Sequence, residues 1–344
     1  MIIRLEGWAD GQLSKFVEVG TAINPFNWHR TAYGITIDRP YRYTRIGYSV
    51  LAWLLSGGGH AAALPFILVL VNLLSVAGIA WLGGLLARSA GRHALWGLLF
   101  AAYFGLVVSI GRDTSEPLAD LCLLGGLLSY RQRRFVLAAL LLSYAAFANE
   151  PVLVFPLALS LTRWWQVWRN SARPGLPDLA WVLPGFLYVL LQGIQQVVVG
   201  GVMGGLADAS ANLTWPFTAL AAGVYRDVSW MSWSHLGTYD YNLLEFTVVT
   251  AFIVAACAVI RSTTAPAHER VAFAGFVVLE LVLASSQFSY SVFGEGRTFI
   301  DAYLMAVVLL LGAGRTIRNR HLAVLAIVIL LALVLVARRR ILFQ

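Results

Sequence analysis

The chain is short of charge: 12% of its 344 residues are Asp, Glu, Lys or Arg, where an average soluble domain has roughly 25%. With 59% hydrophobic residues and a mean hydropathy of +0.74, that scarcity excludes an ordinary water-soluble globular domain. Lysine is almost missing. The net charge of +8 comes from 24 arginines and one lysine, Lys15, and with 31 glycines this bias points to a GC-rich bacterial genome. The two cysteines, Cys122 and Cys257, fall in apolar segments, so no disulfide framework is expected and both thiols should be buried and inert. The six histidines are scattered without ligand spacing, which indicates no metal site. A phosphate-cradling Gly-rich loop, a dinucleotide fingerprint and a nucleophile elbow are all missing. No polar stretch is long enough for a separate soluble unit, so residues 1–344 are read as one membrane domain.

Apolar sequence fills the chain instead. A helix needs roughly 20 apolar residues to cross the hydrocarbon core. Ten segments approach that: Leu64 to Ala87, Ala94 to Ser109, Leu118 to Tyr130, Phe135 to Ala148, Val152 to Trp168, Leu179 to Val199, Tyr241 to Ile260, Val271 to Phe288, Phe299 to Gly312 and Leu322 to Ala337. The predicted fold is all-α, a polytopic transmembrane helical bundle of about ten spans over residues 61–338. Before it stands an external segment, residues 1–60, ending in an interfacial helix at Ile46 to Ser56. Several segments are shorter than a full crossing, which suits tilted helices or helices that stop at a water-filled cavity.

Arginine then sets the orientation, because basic residues accumulate on the cytoplasmic side. Alternate joints hold Arg88 and Arg92; Arg131, Arg133 and Arg134; Arg163, Arg169 and Arg173; Arg261 and Arg270; and Arg315, Arg318 and Arg320. Those joints face the cytoplasm, where their partners are anionic membrane lipids and not nucleic acid. The opposite joints carry Arg112, Arg226 and Arg297 but also Asp113, Glu116, Glu150, Asp208, Asp227, Asp240 and Glu295, and they include an aromatic loop over residues 200–240. The expected location is the plasma membrane, with the acid-bearing face outside. The arginines of the first 45 residues run against this rule. No signal-peptide core precedes them, and a first membrane helix is expected to be missing from the chain.

Five short runs occur in order: Trp8-Ala-Asp-Gly-Gln12, Asn24-Pro-Phe26, Tyr41-Arg-Tyr-Thr-Arg-Ile-Gly-Tyr48 leading into Leu51-Ala-Trp-Leu-Leu55, Arg112-Asp-Thr-Ser-Glu-Pro-Leu118 and Ala148-Asn-Glu-Pro151. As an ordered set over the first half of the chain they resemble the external-face motifs of bacterial GT-C glycosyltransferases. Ala9 stands where those enzymes have an aromatic residue, and Asn149 where they have an arginine. The resemblance implies transfer of a sugar, usually with inversion, from a polyprenyl-phosphate donor to a glycan or lipid acceptor of the cell envelope. It implies no fixed cofactor and admits a divalent cation.

Such a reaction needs a carboxylate to take the acceptor proton and donors aimed at the departing phosphate. In the loop that the resemblance sets over the cavity, Asp10 beside Gly11 is the expected base; an Asx turn is the alternative. Asp38, ahead of Arg39 and Pro40, is a second acid or simple turn chemistry. Asp113 and Glu116 are expected to shape the acceptor or metal side, and Glu150 to bind substrate. Both runs also read as plain helix starts with a capping side chain and an early proline. Arg42 and Arg45, with Tyr43 between them, and Arg297, between Gly296 and Thr298, are expected to hold the lipid phosphate. An aromatic belt with snorkelling arginines is the alternative for the first pair, and pairing with Glu295 for the last. Glu245, Glu280, Gln192, Gln195 and Gln196 should turn into the bundle. They keep open a transporter or flippase of lipid-linked sugars, and the two motif departures keep open a noncatalytic assembly subunit.

Overall fold

The computed structural model describes residues 46–112, 114–169, 173–199, 215, 218, 221–222, 225, 228–229, 239–282, 299–314 and 316–342, and every regular element among them is helical. In chain order these are α1 (Ile46–Leu55), α2 (Leu64–Ser89), α3 (Leu98–Ala101), α4 (Phe104–Arg112), α5 (Glu116–Arg131), α6 (Phe135–Ala148), α7 (Val154–Trp168), α8 (Leu179–Val199), α9 (Tyr239–Val259), α10 (Ala267–Val282), α11 (Ile300–Gly312) and α12 (Asn319–Leu342). Three 3-10 turns, Ala94–Gly97, Glu150–Leu153 and Leu176–Asp178, complete the set.

Helix α2 shows what kind of solvent the bundle is built for. Pro65 sits in its first turn, where a missing N–H costs nothing, and Gly91 follows its end with φ at 72°, the left-handed conformation that lets the chain reverse. Phe66 and Trp81, 77% and 66% exposed, point outward with Leu70, Leu73 and Leu74, while the polar Asn72 and Ser75 point inward. Water would penalise that distribution, whereas hydrocarbon does not. Asn72 is wholly buried, and neither of its amide atoms has a hydrogen-bond partner.

Two helices among the described residues are long and apolar enough to cross a membrane, Leu64–Ser89 and Leu176–Ile194. A third crossing arises if the pair Ala94–Ala101 and Phe104–Gly111, bent by 52°, counts as one. The ten predicted spans are therefore seen as helices of unequal reach, and Ala94 to Ser109 is not one rod but is broken at Ala102 and Tyr103. The expected interfacial helix is present as α1. One expectation is corrected: Cys122 is buried, but Cys257 is exposed on α9. In an apolar helix hydropathy does not say which face turns inward, and Cys257 lies on the outward one with Val254.

Helix α11 is the hub, with all 13 residues buried. It packs against α9 and α10 and also meets α2, α3 and α5. Tyr303 anchors it: its hydroxyl donates to the Leu99 carbonyl at 2.7 Å, and its ring stacks on Tyr103 at 4.4 Å. Gly78 closes on Leu121 and Gly125 on Leu82, so α2 and α5 run parallel, while Gly126 against Leu142 marks the antiparallel α5–α6 hairpin.

Helix direction divides the bundle into two ends. At one, Arg131 at the close of α5 donates to both oxygens of Glu269 at 2.6 and 2.5 Å and to Ser89 Oγ at 3.2 Å. Nearby Arg92 donates to the Leu311 and Ile317 carbonyls and to Asn319 Oδ1, and Thr264 bonds Gly312. The arginine-bearing joints thus meet in space. A cavity of about 240 Å³ opens among them, lined by Ser89, Arg131, Thr264, Pro266, Leu311 and Gly312.

His268 sits at this end between the rings of Tyr130 and Phe155, at 5.1 and 6.1 Å. Burial first, and then the Arg131 charge, push its pKa from 6.5 down to about 4. The unfolded chain therefore takes up a proton below pH 6.5 that the folded chain refuses until about pH 4. Stability carried by neutral His268 is complete above pH 6.5 and is lost as pH falls through that window, by up to about 3 kcal/mol. Melting midpoints in detergent should fall more steeply between pH 6.5 and 4 for the native chain than for His268→Phe; parallel curves would refute the assignment.

Candidate functional site

The opposite end gathers acids. Helix α5 starts at Glu116, and one turn later Asp120 lies on the same face, the i,i+4 spacing. Asp301 is in the first turn of α11 and Glu280 near the close of α10. All four are buried, with Glu116, Asp120, Asp301 and Glu280 at 7%, 2%, 6% and 6% exposure. The Asp120 and Asp301 carboxyl groups stand within hydrogen-bonding reach of each other, Glu116 adds its charge to Asp120, and Glu280 faces Asp301. Every charged group among the described residues that acts on Asp120 or Glu280 is another carboxyl. The ion pairs given by Arg131, Arg163 and His268 lie with the basic joints.

The α5–α6 hairpin carries a second helix start to this end. Asn149 leaves α6 in extended backbone, with φ at −154° and ψ at 117°, and the 3-10 turn Glu150–Leu153 then packs against both α5 and α6. Neither Ser115 nor Asn149 accepts a hydrogen bond from the helix that it precedes. Side-chain capping, the plain explanation of both runs, is not what these residues do. Asn149 is 5% exposed, and its Oδ1 has no hydrogen-bond partner.

Helix α1 is fastened to the same place. Gly47 lies so close to α6 that a Cβ there would come within 3.0 Å of the Phe147 carbonyl carbon and 3.1 Å of Ala148 N. Tyr144 donates its hydroxyl proton to the Gly47 carbonyl at 2.8 Å, and Tyr48 donates to the Leu68 carbonyl at 3.1 Å. The residues that follow the Tyr41 to Tyr48 run are thereby held against the turn that contains Asn149 and Glu150.

Of the expected site residues, the structure places Glu116, buried, and Glu150, half-buried, at this one end. Asp10, Asp38, Arg42, Tyr43, Arg45, Asp113 and Arg297 lie outside the described residues. Glu280 and Gln192 turn inward as expected. Asp120 and Asp301 were not foreseen. The signals were available: Asp120 is one helical turn after Glu116, and Asp301 is the lone charge of an otherwise apolar helix.

Chemically, such carboxyl groups can take a proton from a hydroxyl or neutralise a cation, and acids at this depth mark functional sites by default. No three His, Cys, Asp or Glu side chains among the described residues are placed to hold a metal ion. No protein-family model matches the chain, and neither a curated protein nor a solved structure does.

Proposed function

We propose that the chain is a polytopic membrane glycosyltransferase that moves a sugar from a polyprenyl-phosphate donor to a glycan or lipid acceptor on the external face of the plasma membrane. One observation carries the reading. Three motifs far apart in sequence belong to one end of the bundle: α1 after the Tyr41 to Tyr48 run, the α5 start at Glu116, and the uncapped turn at Asn149 and Glu150. A GT-C-like bundle of about ten spans is part of the proposal. It is supported by the apolar outward faces and by the gathering of the arginine joints at the far end.

In the reaction the acceptor oxygen attacks the anomeric carbon from the side opposite the phosphate. The bond between that carbon and the phosphate oxygen breaks, its electron pair leaves on polyprenyl phosphate, and the acceptor proton passes to a carboxylate. Asp10 is assigned as that base, with Asp38 beside it. Asp113, Glu116 and Glu150 orient the acceptor, while Arg42, Arg45 and Arg297 hold the phosphate with Tyr43 against the sugar. No step is routed through a divalent cation.

Membranes containing the chain, given labelled polyprenyl-phosphate sugars, should transfer label to a larger envelope product. Asp10→Asn should slow transfer by about 10²- to 10⁴-fold, the range for loss of a general base. Glu116→Gln should raise the acceptor KM with a smaller change in kcat. Full activity in Asp10→Asn would move the base elsewhere, and absence of transfer with every donor would sink the reading. The buried acids Asp120, Glu280 and Asp301 favour a second reading, a transporter or flippase of lipid-linked sugars. In proteoliposomes that reading requires labelled lipid to change leaflet with its sugar bond intact.

A further inference from the structure

We infer that Asp120 and Asp301, with Glu280 facing them, hold a single positive charge inside the bundle, a sodium ion or a proton. The inference is independent of glycosyl transfer.

The geometry starts from two helices. Asp120 projects from α5 and Asp301 from α11, at 2% and 6% exposure, and their carboxyl groups come within hydrogen-bonding reach. Two bare carboxylates at that separation repel each other, and burial removes the water that would screen them. One positive charge between the oxygens turns both terms favourable. A shared proton does so because a bond between two carboxyl groups needs a hydrogen to donate. A sodium ion does so by ligation to oxygen.

Glu280 is the second and separate observation. It comes from a third helix, α10, is 6% exposed, faces Asp301, and its Oε2 meets no hydrogen-bond donor. A buried carboxyl oxygen left unmatched by protein donors is the condition that a bound cation relieves. The other titratable groups among the described residues that act on the pair are Glu116 and Cys122, both on α5. From α2 the inward polar groups are Asn72 and Ser75, which carry no charge. The ligand is monovalent in this account, because no three described acids, histidines or cysteines converge as a divalent site would need.

The test uses the full chain purified into nanodiscs. Melting midpoints are measured at constant ionic strength while choline chloride is replaced by NaCl, LiCl or KCl, and infrared spectra are recorded for the stretch of a protonated carboxyl group. A saturable rise of a few degrees with Na⁺ but not choline identifies sodium. A protonated-carboxyl band without cation preference identifies the proton. Asp301→Asn should remove whichever signal the native chain shows, and Asp120→Asn should weaken it at least tenfold in apparent affinity or band intensity. If those two variants do not fold, Glu280→Gln serves, since it keeps the pair and should lower Na⁺ affinity several-fold or shift the band. A folded native chain with neither signal overturns the inference. So does a signal that survives unchanged in every folded variant.

Discussion

Arg131→Met is expected to destabilise the folded chain by about 3–5 kcal/mol, the cost of leaving one partner of a buried ion pair unmatched. Glu269 has no exposed surface, and Arg131 supplies both of the hydrogen bonds that its side-chain oxygens receive. Removing the guanidinium leaves a carboxylate with no donor and no water. It also frees Ser89 Oγ and enlarges the cavity between α2, α5 and α11. The paired change Arg131→Met with Glu269→Leu should recover most of the loss, because a well-packed apolar pair often equals or exceeds a buried ion pair in stability. Denaturation in mild detergent, followed by the melting midpoint and by retention of the monodisperse peak, reads both variants. A single variant within about 1 kcal/mol of the native chain would mean that water reaches Glu269 and screens it as it does a surface pair.

The same pair shows what the sequence could and could not say. Where an apolar run is bounded by arginine, glycine or proline, its helix is legible almost to the residue: Phe135 to Ala148 and Leu179 to Val199 are α6 and α8 as predicted. Periodicity failed at the break after Ala101, since both flanking pieces are apolar and nothing in hydropathy distinguishes a bend from a continuous rod. It failed at Cys257 for a related reason. In the site, Glu116 and Glu150 could be found because each opens a helix or turn in a recognisable acid–proline run. Asp120 and Asp301 could not, because their meaning lies in a contact between α5 and α11 that only the folded chain makes. An acid alone in an apolar helix is nonetheless a signal worth reading, for burial there is unfavourable unless something compensates it.

Gly97→Ala is expected to be the most damaging of the small substitutions. A Cβ at this position would fall 2.2 Å from Gly84 N, 2.6 Å from Gly84 Cα and 2.5 Å from the Ala80 carbonyl oxygen. All three are backbone atoms of α2, so no rotamer change can make room, and the 3-10 turn Ala94–Gly97 must lift away from the helix. Overpacking that side chains can absorb costs about 1–3 kcal/mol; this contact should reach or pass the upper end. Gly78→Ala provides the control. Its Cβ would meet Leu121 Cδ1 at 2.6 Å, the end of a flexible side chain, so its cost should be clearly smaller. The consequence extends beyond stability, because the turn leads into α3, where the Leu99 carbonyl receives the Tyr303 hydroxyl two residues after Asp301. Lifting the turn should loosen the start of α11, raising hydrogen exchange over residues 300–304 in Gly97→Ala but not in Gly78→Ala. Equal midpoints and equal exchange in the two variants would show that the turn does not bear on α11.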